Sequence, residues 1–452
     1  MTAAPLAAGA PRSGLARRLL ALAAPVAGAN ILIMLMGLVD TIVVGRHSSS
    51  ELAELALAWS LNGTALVATI GLLVGVQVLA ARRMGEGRPE AVGAIWRRGL
   101  VIALVAGGVL GVALHFGALW ALAHLGQSPE LAAGAAECAA ILGFSLAPNA
   151  IYMACAKTLE GINRPRAALV LMALANVLNL GLNLWLVPEM GAEGAAWATL
   201  GARLFLVAGA VGWMGIMPGA AAFRFFRLGG PKIAGEAREQ LSIGLSAMGS
   251  RVLEAGAFNA LTIMAGVAGS AAIAGFTIAI NVVSIGFMPA LGIASATAVI
   301  ASNARGAGDP DTALKVARIG LIAGASYGAL FAALVLIANG PIAAAFTTDP
   351  ALLGQGALLI AMLAWVVIPD FTQVTAAEAL RALGRPWFPT FSHLGSYVFI
   401  MAPLGWLLCV TAERGARGLV EAVAVASLVS VTALLWRLAL LRRADVALAS
   451  SG

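Results

Sequence analysis

The eight residues Met84-Gly85-Glu86-Gly87-Arg88-Pro89-Glu90-Ala91 return further along the chain as Arg305-Gly306-Ala307-Gly308-Asp309-Pro310-Asp311-Thr312. Gly85 aligns with Gly306, Gly87 with Gly308 and Pro89 with Pro310, all at one constant interval. The first copy follows the second long apolar run, and the second copy follows the eighth. Six runs therefore separate them, and the chain reads as a duplicated set of six. Loops six crossings apart lie on the same membrane face. The halves are thus parallel repeats, related by an axis along the membrane normal.

The runs around these loops make the solvent plain. Of the 452 residues, 61% are hydrophobic and 11% charged, where a soluble domain carries about 25% charged. Mean hydropathy is +0.94. About 20 apolar residues are needed to cross a bilayer. Spans are expected at 19–44, 54–81, 99–123, 131–156, 167–187, 194–216, 240–265, 271–302, 316–343, 352–380, 388–410 and 418–441. Several run well past the length of a straight crossing, so tilted or bent helices are expected. The fold class is an all-α polytopic membrane protein of about twelve transmembrane helices. Residues 1–216 form an amino-terminal six-helix lobe, 217–239 a cytoplasmic linker, and 240–452 a carboxyl-terminal six-helix lobe.

Orientation follows from the loops. With both termini inside, 23 of the 28 Lys and Arg fall on the inner side; Arg46, Arg414 and Arg417 fall outside, and Arg203 and Arg251 lie within helices. That bias satisfies the positive-inside rule and supports an even number of spans. It also accounts for the net charge of +7, so no nucleic-acid partner is expected. The first apolar run, after Arg17 and Arg18, is too long for a secretory leader. Cys138, Cys155 and Cys409 lie inside apolar runs, without disulfide or metal-ligand spacing. The four histidines form no HxxxH or HExxH pair, and no GxxxxGK[ST] phosphate loop is present. No cofactor and no enzyme activity are expected.

Ionisable residues at mid-bilayer cost roughly 2.5–3.5 kcal/mol each and so mark cavities or partners. The candidates are Asp40, Glu137, Arg203, Arg251, Glu254, Asp370 and Glu378. Asp40 lies in the outer part of the first span, and Pro25 earlier in that helix is expected to kink it. In the fifth span Asn176, Asn179 and Asn183 stand at i, i+3 and i+7 on one face. Amide oxygens beside a carboxylate suit a small hard cation; interhelical hydrogen bonding is the structural alternative. Arg251 is three residues before Glu254 on the same face, and pairing of the two is the structural alternative to a coupling role for Glu254. Asp370 follows Pro369 at mid-span, and Glu378 lies two turns nearer the inner loop, between an interfacial and a pathway role. Glu137 and Arg203 have no assigned partner and are expected to be structural.

Taken in order, these residues resemble the multidrug and toxic compound extrusion (MATE) family, and within it the NorM-like branch. The segment Gly37-Leu38-Val39-Asp40-Thr41 with Gly45, preceded by Pro25, looks like the first-helix signature. Asn176 to Asn183 resembles the fifth-helix asparagine cluster, and Gly244 to Glu254 keeps a ten-residue spacing in the seventh helix. Phe287-Met288-Pro289-Ala290-Leu291-Gly292 looks like the eighth-helix segment, and Asp370-Phe371-Thr372-Gln373-Val374 with Leu380-Arg381 looks like the tenth. Three positions depart from the pattern. Val366 stands where a tyrosine is usual, Ser246 where a proline is usual, and Arg251 adds a positive charge beside Glu254. Each weakens the carry-over of a sodium site to the carboxyl lobe.

The resemblance implies a V-shaped, monomeric antiporter with a central cavity, in a bacterial cytoplasmic (inner) membrane. It implies export of amphipathic, mainly cationic organic compounds, coupled to Na⁺ or H⁺ by alternating access. Asp40, Asn176, Asn179, Asn183 and Thr199 would form the amino-lobe cation site, with Na⁺ at Asp40, Asn179 and Asn183. Glu254 and Asp370 would form the carboxyl-lobe site, with Arg251, Glu378 and Pro25 as modulators. The alternative is a flippase or exporter of lipid-linked or other amphipathic cargo. That cargo would want a basic cavity, whereas the intramembrane charges are five acids against two arginines.

Overall fold

The computed structural model describes residues 12–124, 128–227, 229 and 233–450, and only the backbone at 12, 351 and 442–450. It is helical almost throughout, with no strand among the described residues. The long helices are α1 (Arg12–His47), α2 (Ser49–Gly85), α3 (Pro89–His124) and α4 (Pro129–Gly161). The 51-residue run Arg166–Ile216 is broken at Gly191 (φ 57°, ψ −135°), three residues after Pro188, into α5 (166–190) and α6 (192–216). Then come α7 (Glu236–Val267), α8 (Ser270–Gly306), α9 (Pro310–Phe346), α10 (Pro350–Ala382), α11 (Trp387–Thr411) and α12 (Ala416–Ser450). Ten described runs are long and apolar enough to cross a membrane. Division of Arg166–Ile216 and addition of α7, whose first turns hold Glu236, Arg238 and Glu239, gives the twelve.

Each expected span lies within one of these helices, but the helices run further. Hydropathy sees only the apolar centre, whereas caps set the ends. Ser48 accepts from Glu51 N at the start of α2, and Ser128 accepts from Leu131 N at α4, both at 3.4 Å. Asp309 accepts from Thr312 N at 2.8 Å ahead of α9, with Pro310 at the first helical position. That backbone N–H holds the Asp309 carboxyl below its usual range. At the repeated corner, Gly87 and Gly308 both have positive φ, 68° and 76°. Only glycine adopts that conformation freely, which is why the two copies of the loop keep it.

The molecule divides into two compact units. Among the described residues, unit 1 is Gly28–Met248, and unit 2 is 12–27 together with those from Gly249 onward. These units cut the chain elsewhere than the hydropathy gap at 217–239, because two helices are shared. Leu15, Leu19 and Ala23 of α1 are buried in unit 2 against Ile293, Ala296, Ile300 and Val316. Their counterparts in the repeat, Glu236, Gln240 and Gly244 of α7, belong to unit 1. A Cβ added at Gly75 would meet Gln240 O at 2.1 Å, and one at Gly244 would meet Leu72 O at 2.1 Å. Such contact of backbones is available only to glycine. Glu236, 2% exposed, is clamped by Arg83 Nε at 2.7 Å and by the Arg98 guanidinium. In unit 1 the core gathers Leu79, Trp96, Tyr152, Met172 and Leu206; in unit 2 it gathers Phe276, Phe371, Tyr397 and Leu419.

Candidate functional site

In unit 1, α1 carries Asp40, α5 the asparagines, and α6 Thr199. Asp40 is completely buried. Asn179 Nδ2 and Asn183 Nδ2 donate to its Oδ1 at 3.1 and 2.7 Å, and Thr199 Oγ1 donates to Oδ2 at 2.6 Å. The spacing of Asn179 and Asn183, one turn apart, lets one carboxylate oxygen receive both. Asn176 does not join them. Its Nδ2 donates to Leu32 O at 3.1 Å and Met172 O at 2.9 Å, so it ties α5 to α1 instead. The amide oxygens of Asn179 and Asn183 are buried with no donor. Two unmatched hard oxygens beside a buried carboxylate are groups that a small cation or a proton on Asp40 could satisfy.

Arg203, to which the sequence assigns no partner, is buried one turn beyond Thr199. It donates to Ser145 Oγ, its guanidinium lies 5.7 Å from the Trp59 ring, and its charge acts on Asp40. Glu137 lies away from this group, beside Glu193 and Glu54. Pro25 lies in α1 two residues before the helix passes from unit 2 into unit 1.

In unit 2, Glu254 and Asp370 are joined through two groups that the sequence reading did not single out. Gln373 Nε2 donates to Asp370 Oδ1 at 2.7 Å and to the Tyr397 hydroxyl at 2.6 Å. That hydroxyl also faces the Glu254 carboxylate. Tyr397 is fully buried on a π-helical stretch of α11, Leu394–Met401; wider turns of this kind frequently mark functional positions. The His393 ring stands 5.2 Å from the Tyr397 ring.

Arg251 does not take the alternative of an ion pair with Glu254. Its Nη2 donates to Glu378 Oε1 at 3.5 Å, the same oxygen that takes Arg381 Nη1 at 3.1 Å. Arg381 Nη2 continues to Ser250 Oγ at 2.7 Å. Two arginines thus share Glu378, while Glu254 faces Tyr397. The physical reason is reach: the long Arg251 side chain extends to α10, where Glu378 is 4% exposed and already ion-paired.

The repeat supplies a signal for what was missed. Asp370 is the counterpart of Asn149, each behind a proline, and Tyr397 is the counterpart of Asn176. Polar positions of one unit thus point to polar positions of the other.

Comparison with known proteins identifies the family and the fold. A family model described as MatE matches twice, at residues 25–185 and 247–407. The chain is 39% identical to the probable multidrug resistance protein NorM of Caulobacter vibrioides, over 94% of this chain and 91% of that one. It is 28% identical to the multidrug resistance protein PmpM of Pseudomonas aeruginosa, covering 90% and 88%. The crystal structure of the eukaryotic MATE transporter AtDTX14 superposes with a TM-score of 0.88 over 95% of this chain and 96% of that one, at 18% identity. At that identity the likeness concerns the fold alone.

Proposed function

Since this chain belongs to the MATE family of transporters, we propose that it is a multidrug exporter of a bacterial inner membrane. It releases amphipathic, mainly cationic organic compounds in exchange for inward Na⁺ or H⁺. The relatives named as multidrug resistance proteins support the cargo class. The observation that carries the coupling is Asp40: a carboxylate wholly removed from solvent and held by Asn179, Asn183 and Thr199. A buried carboxylate binds a cation or a proton far better than it tolerates standing alone.

Coupling is alternating access. The ion favours one state and the organic cation the other, by competing for the same acids. A ligand shifts two states only by its differential affinity for them. One charge crossing 100 mV is worth about 2.3 kcal/mol. Exchange of one cation for one monovalent drug moves no net charge, so voltage adds nothing unless a second ion enters. The acids of unit 2, Glu254 and Asp370, are the groups that would accept it. Both termini lie in the cytoplasm, as the Lys and Arg bias requires, and the working unit is the monomer.

The test is export of a fluorescent organic cation from proteoliposomes under a sodium or a pH gradient imposed separately. Wild type runs beside Asp40→Asn and Asp370→Asn. Movement under one gradient, lost in a mutant, supports antiport and names the ion and the coupling unit. Movement of lipid-linked or anionic cargo, with no tested cation moved by either gradient, would overturn the drug-exporter reading.

A further inference from the structure

The corner between α10 and α11 in unit 2 repeats the corner between α4 and α5 in unit 1. Asn163-Arg164-Pro165-Arg166 becomes Gly384-Arg385-Pro386-Trp387 at the interval of the repeat. The backbone turns alike, with φ 61° at Asn163 and 82° at Gly384. In unit 1 the chain itself satisfies the arginine. Arg164 Nη1 donates to Pro218 O at 2.6 Å, and its guanidinium lies 5.8 Å from the Phe223 ring. That cover comes from residues 217–227, where the chain leaves α6 and turns.

Unit 2 has no such turn. The repeat positions of 217–227 are 438–448, and there α12 continues as helix. Arg385 is left exposed at a cavity of about 420 Å³, lined by Gly384, Arg385, Trp387, Phe388, Trp436 and Arg437. Arg437 lies over the Phe388 ring at 5.8 Å. Neither guanidinium has a carboxylate partner among the described residues. A second cavity, of about 380 Å³, lies on the other side of Arg385 and is shared with Arg305 and Leu314. Trp387 and Trp436 are 41% and 59% exposed, and from the corner an exposed apolar strip runs along α11 through Phe391 and Phe399.

We propose that this corner binds the phosphate of an anionic phospholipid headgroup from the inner leaflet, held between Arg385 and Arg437. The acceptor oxygen that Pro218 supplies in unit 1 is supplied in unit 2 by the lipid. Guanidinium groups match phosphate oxygens in paired hydrogen bonds, and basic pockets between helices on the cytoplasmic side take such headgroups. Tryptophans at this depth mark the membrane interface. The strip beginning at Phe391 gives the acyl chains a surface continuous with the headgroup site.

The experiment uses the full-length protein purified in mild detergent. Mass spectrometry counts phospholipid retained per chain during titration with phosphatidylglycerol, cardiolipin, phosphatidylethanolamine or inorganic phosphate. Wild type is expected to retain one anionic lipid, and Arg385→Gln/Arg437→Gln to retain at least fivefold less. Phosphatidylethanolamine should distinguish the two proteins little. Arg164→Gln, whose guanidinium already rests on Pro218, should behave as wild type. Arg385→Gln alone, at an exposed position, gives an intermediate loss and serves if the double variant does not fold. Equal retention of anionic lipid by wild type and either variant overturns the proposal. So does displacement of the lipid by millimolar inorganic phosphate, which would make the site one for free anions.

Discussion

Lys157 and Glu378 hold the same place in the two repeats with opposite charge. Lys157 Nζ donates to Glu160 Oε2 at 2.8 Å in α4; at the matching positions of α10, Arg381 Nη1 donates to Glu378 Oε1 at 3.1 Å. The i, i+3 ion pair is kept while its polarity is reversed. In unit 2 a second cation, Arg251, joins the pair.

Glu378 therefore neutralises two guanidinium groups, and its loss leaves both facing each other. Glu378→Gln should lower stability by about 3 kcal/mol, the usual cost of breaking a buried pair from one side. Arg251→Gln/Glu378→Gln should recover part of that. Thermal unfolding in detergent reads both. A double variant no more stable than the single one would show that Arg251 does not burden the site.

The asparagines of α5 divide by partner. Asn183→Ala removes a donor 2.7 Å from Asp40, and transport should fall at least tenfold. Asn176→Ala breaks only bonds to backbone carbonyls. It should keep most transport and lose about 1 kcal/mol of stability. Equal transport loss in both would mean that the whole row serves the ion.

Tyr397→Phe takes away the hydroxyl between Glu254 and Gln373 and leaves the ring in place. Because Gln373 still reaches Asp370, melting should change little. If unit 2 takes part in coupling, transport should drop at least fivefold. Unchanged transport under both gradients would assign coupling to unit 1 alone.

Backbone contact between α2 and α7 predicts a steep steric penalty. At Gly75 an added methyl would stand 2.1 Å from Gln240 O, so Gly75→Ala should cost roughly 1–3 kcal/mol or more. Gly108 has nothing within 4 Å of its added Cβ, and Gly108→Ala should be neutral or slightly stabilising. Comparison of folded yield and melting temperature decides it.

The cap of α9 should respond to acid. The Asp309 carboxyl is held below its ordinary value of 3.8 by the Thr312 N–H, so its stabilisation is present above that pH. It is lost as pH falls through the lower, folded value. Asp309→Ala should cost about 1 kcal/mol at neutral pH, and the gap to wild type should close in strong acid. A gap independent of pH would exclude the charged cap.

Much of this architecture was legible because it is local. An apolar run long enough to span is a property of consecutive residues, and Gly87 and Gly308 recur because both corners need positive φ. Asn179 and Asn183 could be read onto one face from their spacing. Asn176 shares that face, yet from there to Asn183 the helix rises about 10 Å, further than one carboxylate can serve. Arg251 and Glu254 illustrate the opposite failure. Three residues apart on a helix makes contact feasible, but which carboxylate wins depends on what α10 brings alongside. Tyr397 and Gln373 meet Asp370 only through packing, so their linkage could not be read from spacing within one helix.

The sharing of α1 and α7 sets an order on biosynthesis. Leu15, Leu19 and Ala23 leave the ribosome about 270 residues before Ile293, Ala296 and Ile300 of the eighth helix, which bury them. At about 5–20 residues per second, that is a delay on the order of tens of seconds. Through it, the start of the first helix is inserted without its partners. A nascent chain arrested at Met248 could complete its first compact unit and would still present an unmatched strip on α1, whose final neighbours are made only later.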